Sequence, residues 1–210
     1  MRHLIVVGTT DAVAAAICFR FSRLEYRIAL LVPRPQTIDQ SWQDQMQLAG
    51  CDLTIVLCDL QSEVAADQYL KLLQQEGQTT TTLILMGAHE QQLPESFLAN
   101  VLLTCNRVIL IQDGDYQPIE HHEITDNAGM SANRTCNTIC MRHIGPSGGT
   151  MESGVAQSAV VTESIPFLEI LNKRSGRAYE VAVLAAFLAS DEAQHINGAV
   201  IDVHSGRYLS

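Results

Sequence analysis

The chain is 210 residues long, 47% hydrophobic, and carries a formal net charge of −10 from 23 acidic against 13 basic side chains. That length suffices for one domain, residues 1–210, with a sizeable buried core, and the composition excludes a disordered chain. The acidic balance argues against a nucleic-acid partner, whose phosphates need Lys and Arg, and the longest apolar runs are too short to cross a bilayer, so no membrane is expected.

The opening residues MRHLIVVG lead directly into a strand, Leu4 to Val7, without the pattern of a cleavable leader, so a cytoplasmic location is expected. An alanine-rich helix follows from Asp11 to Arg23, then a strand from Arg27 to Val32. The Gln-rich, Pro-flanked segment from Pro33 to Gly50 is a surface crossover with a short helix around Trp42 to Leu48. A strand from Thr54 to Cys58 comes next, then a helix from Ser62 to Gln75 with Ser62 as its cap, and strands from Leu83 to Met86 and Val108 to Ile111. Residues Gln112 to Thr135 keep no apolar period and are expected to be mostly loop. The pattern resumes at Thr138 to Ile144, passes a Gly-rich turn, and closes with a buried helix, Tyr179 to Ala189, and a strand, Ala199 to Val203. Short apolar strands with helical crossovers imply a doubly wound α/β fold around a parallel sheet.

A strand, a tight turn and a helix N-terminus together form an anion site, because free backbone N–H groups and the helix dipole point at a phosphate. Gly8 and Thr9 are the candidate contacts in this turn. The later positions, which glycines fill where a dinucleotide binds, hold Ala12 and Ala14, so there is less room for a ligand. Asp11 adds a carboxylate, which would oppose a diphosphate by about 4 kcal/mol at ~4 Å and an effective dielectric near ~20. At the end of the second strand, Arg34 stands where an acid would hold the ribose of NAD. An arginine suits the 2′-phosphate of NADP better than the bare ribose of NAD, but a solvated loop charge is the favoured reading.

The last third carries the most specific signal. Its run GRAYEVAVLAAFLASDEAQHINGAVIDVHSG, Gly176 to Gly206, resembles the C-terminal segment of classical short-chain dehydrogenases/reductases, particularly the 3-oxoacyl carrier-protein reductases. In that family a FLASD-like helix end leads to ITG and a VDGG strand. The resemblance implies a Rossmann-like single domain. It makes Gly8 the first loop glycine, Asp59 and Leu60 part of an adenine-cradling C-D-L, Met86-Gly87-Ala88 the counterpart of N-A-G, and Pro146 the proline of a cofactor-side turn.

The resemblance fails in the centre. The family uses a serine after the fifth strand and a Y-x-x-x-K pair, in which lysine lowers the phenol's pKa and holds the nicotinamide ribose. None of Tyr26, Tyr69, Tyr116, Tyr179 and Tyr208 has a lysine four residues later, and the two lysines are Lys71 and Lys173. Gln112 and Asp113 stand where the serine is expected, and the central region is shortened. No catalytic residue carries over, and NADP and no cofactor remain equal alternatives. The expected function is a degenerate, non-catalytic homologue serving an active 3-oxoacyl-type reductase of fatty-acid or polyketide metabolism. The alternative is an NADPH-dependent reductase with Tyr116 or His121 as proton donor. The family's dimer face implies a homo- or hetero-oligomer through helix 179–189 and strand 199–203.

The six cysteines form no CxxC pair, which points to reduced, mostly buried thiols. His121-His122-Glu123 reads as a solvated loop rather than a metal site, and Cys136 with Cys140 reads as core thiols on one strand face.

Overall fold

The computed structural model describes residues 2–33, 38, 40–58, 81–87, 105–113, 134–141, 144–145 and 176–203. The expected helix at Ser62 to Gln75 and most of the expected central loop lie outside these residues.

Seven strands build one parallel sheet: β1 (Arg2–Val7), β2 (Tyr26–Pro33), β3 (Leu53–Cys58), β4 (Thr81–Met86), β5 (Cys105–Asp113), β6 (Thr135–Met141) and β7 (Val200–Val203). Their order is β3-β2-β1-β4-β5-β6-β7, and every pairing is parallel. This is the Rossmann-like architecture the sequence implies. A separate two-residue ladder joins Ile144–Gly145 to Gly176–Arg177. Three α-helices are described: α1 (Ala12–Ser22), α2 (Gln40–Leu48) and α3 (Ala178–Leu188).

Strand alternation explains the two-sided burial. Leu4, Val6, Leu30, Ile84 and Ile109 join one core cluster with α1, α2 and α3. The intervening Ile5, Val7, Leu31, Leu83, Leu85, Val108 and Leu110 are also buried, so both faces of the sheet are covered. The face bearing α1 and α3 depends on small residues. Ala14 of α1 and Ala178, Ala182 and Ala185 of α3 have no exposed surface, which allows these helices to lie close against each other and the sheet.

The strand bounds correct the central expectations. β5 runs to Asp113, and β6 starts at Thr135 and stops at Met141 instead of spanning Thr138 to Ile144. Apolar periodicity misses these ends because the ladder pairs backbone groups whatever their side chains: Arg107 stands opposite Thr135, and Asp113 opposite Met141.

Polar side chains fasten β7 to β6. The Asn137 side chain has no exposed surface; its Nδ2 donates to the Ile196 carbonyl at 2.8 Å, and its Oδ1 accepts from the Ala199 N–H at 3.0 Å. In return, Asn197 Oδ1 accepts from the Cys136 N–H at 2.8 Å. At the opposite end of the strands from the first turn, Asp191 lies 3.9 Å from Arg2 and 3.7 Å from the buried Arg107, linking the segment after α3 to β1 and β5.

Candidate functional site

In an open α/β sheet a ligand crevice forms at the carboxyl ends of the strands, where the strand order reverses. Here the reversal lies between β1 and β4, so the candidate site is the turn from β1 to α1 beside Met86. Gly8 follows β1 and donates its N–H to the Leu31 carbonyl at 3.1 Å. A Cβ on Gly8 would lie 2.8 Å from Met86 Cβ, an atom the backbone fixes. The missing side chain therefore serves the close passage of the turn over β4. Gly87 follows with φ of 74°, a left-handed conformation that favours glycine.

Asp11 dominates the rest of the turn. It is the N-cap of α1: Oδ1 accepts from the Ala14 N–H at 2.8 Å, and Oδ2 accepts from the Thr9 hydroxyl at 2.7 Å. Its backbone carbonyl accepts the Ala15 N–H at 3.0 Å, and the Trp42 indole N–H of α2 approaches the same oxygen at 3.4 Å. Trp42 is buried, so α2 rests on the turn through its largest side chain. Aspartate is among the best N-cap residues, because a charged acceptor satisfies an orphan amide at the positive end of the helix dipole.

Of the residues expected at this site, Gly8 and Thr9 stand together in the turn; Arg34, Asp59, Leu60 and Pro146 lie outside the described residues, as do Tyr116 and His121. Gln112 and Asp113 are the last two residues of β5, inside the strand rather than after it. Sequence reasoning missed the Trp42 contact, and it placed Met86 only in the counterpart of N-A-G without reading its close packing on the turn. Met86 at the end of an apolar run was a usable signal for close packing, whereas Trp42 lies 31 residues from its partner and left none.

A search of solved structures finds 2-keto-3-deoxy-D-gluconate dehydrogenase from Streptococcus agalactiae, with a TM-score of 0.64 and 16% identity, covering 99% of this chain and 94% of that one. The fold is that of a short-chain dehydrogenase/reductase. At this identity the likeness carries the fold alone. No protein-family profile matches the chain, and no curated protein does.

Proteins of this fold typically bind NAD or NADP, which raises the question whether the first turn fits a diphosphate. Its described half does not. A carboxylate already holds the Ala14 amide, and the Thr9 hydroxyl points to that carboxylate.

Five described thiols are ordinary residues in or at the edge of the core. Cys18, Cys105, Cys136 and Cys140 are buried, Cys51 is half-buried, and none of the five forms a disulfide. Burial pushes the Cys18 thiol up to about 12, with Cys51 adding to the effect, so it stays protonated and unreactive at neutral pH. Among the described residues no three His, Cys, Asp or Glu side chains gather as a metal site; His121, His122 and Glu123 lie outside them. No described helix is long and apolar enough to cross a membrane.

Proposed function

We propose that this chain is a non-catalytic homologue of the short-chain reductases, acting as a subunit or partner of an active 3-oxoacyl-type reductase. One observation carries the reading: α3 leaves large apolar side chains exposed, and β7 is an apolar edge strand. Tyr179 is 53% exposed and Phe187 42%, eight residues apart on α3, with half-buried Val183 between them on the same helix face and exposed Val200 on β7. β7 is also the last strand of the sheet, and an apolar edge strand invites pairing unless something covers it. These exposed apolar groups support the partner role. The lack of catalysis rests on the full sequence, in which no tyrosine has a lysine four residues on. A phenol near pKa ~10 without such a cation is a poor proton relay at neutral pH.

The test is purification from the native host, followed by assays of 3-oxoacyl reduction by the isolated chain and by the complex. The expected result is an isolated chain without turnover and an associated reductase that retains or gains activity. Turnover by the isolated chain would overturn the proposal. A Tyr179→Asp/Phe187→Asp double variant is expected to abolish association while keeping its circular dichroism spectrum, because both side chains face outward.

A further inference from the structure

The mismatch between the first turn and a diphosphate points to a single residue. Three features converge on Asp11: its carboxylate caps the Ala14 amide, it receives the Thr9 hydroxyl, and its carbonyl lies under the Trp42 indole. The carboxylate thus occupies, from within the chain, the helix terminus where a phosphate would find positive potential. A diphosphate arriving there would have to displace this contact or sit beside a like charge.

We infer that Asp11 is the specificity-determining residue of the turn: a built-in anion that excludes diphosphate-bearing nucleotides. This rests on the reading of the chain as a non-catalytic homologue and adds the residue responsible for the loss of cofactor affinity. Neighbouring Ala12 and Ala14 carry no charge, and Ala14 is buried in the helix-packing core. Asp11 discriminates by charge.

The experiment separates charge from capping. Asparagine and serine cap helices about as well as aspartate, so Asp11→Asn and Asp11→Ser keep the helix start while removing the charge. Trp42 is the chain's only tryptophan and contacts the turn, so its emission reports binding there without reference to activity. Wild type and both variants are titrated with NADP, with inorganic pyrophosphate, and with adenosine as a phosphate-free control, with calorimetry alongside. The expected result is at least about tenfold tighter binding of NADP and pyrophosphate by both variants, with adenosine unchanged. Equal affinities in all three proteins, including no measurable binding in any, would overturn the inference. So would a parallel gain for adenosine, which would show that space decides rather than charge. The variant-to-wild-type ratio tests the role of Asp11, whereas wild-type turnover tests the proposed function, so each can fail without the other.

Discussion

The β1–α1 turn and the α3–β7 unit belong to the same sheet, yet they treat their interaction groups in opposite ways. In the turn, the polar groups face one another: Thr9 donates to Asp11, Asp11 caps α1, and Trp42 approaches the Asp11 carbonyl. In the α3–β7 unit, the polar groups are also matched internally, through Asn137 and Asn197, but Tyr179, Phe187 and Val200 remain turned to solvent. Under the proposed reading, the first region turns away diphosphates and the second meets an apolar partner surface. A shared fold can therefore keep its scaffold while its two interaction sites diverge.

The contrast can be sharpened by breaking each region separately. The largest effect on stability is expected from Asn137→Ala, which removes two hydrogen bonds and leaves the Ile196 carbonyl and Ala199 amide to find new partners. Denaturant unfolding should show a loss of about 2–4 kcal/mol, with β7 losing hydrogen-exchange protection before β1 does. A smaller effect is expected at the turn. Gly8→Ala forces a methyl group against Met86 Cβ and should cost about 1–3 kcal/mol in the same measurement. If Gly8→Ala proved neutral, the close passage of the turn over β4 would be disproved.

The smallest effect at neutral pH belongs to the core that both regions share. The Cys18 thiol ionises near its ordinary 9.0 in the unfolded chain and at about 12 in the fold. Its contribution is fully present below pH ~9 and declines as the pH rises toward ~12, because the unfolded state then loses a proton that the fold retains. Cys18→Ala should flatten this alkaline arm of the stability profile, and thiol reagents should label wild-type Cys18 only as fast as the protein unfolds.

Much of this architecture was legible from the chain itself. β1, β2 and β4 are apolar runs bounded by polar residues, and the small-residue face of α3 together with the segment after it carried both the helix and the family resemblance. The ends of β5 and β6 were illegible because Arg107, Gln112, Asp113 and Thr135 join the ladder through backbone groups, which hydrophobic periodicity does not register. In the candidate site, Gly8 and the carboxylate of Asp11 at the start of α1 could be read locally. The Trp42 contact and the hold of Asn137 on the last strand could not, since each joins residues distant in sequence.

The alanine seam between α1 and α3 has a kinetic consequence. It joins two helices that are far apart along the chain, and every strand pairing in the sheet is likewise a parallel, non-local one. Loop closure must precede the contacts that reward it, so folding is expected to be slow for a protein of this size, with sticky strand edges exposed meanwhile. A pre-folded companion that shields those edges early would then raise the yield of native protein, even where it adds little to the final stability.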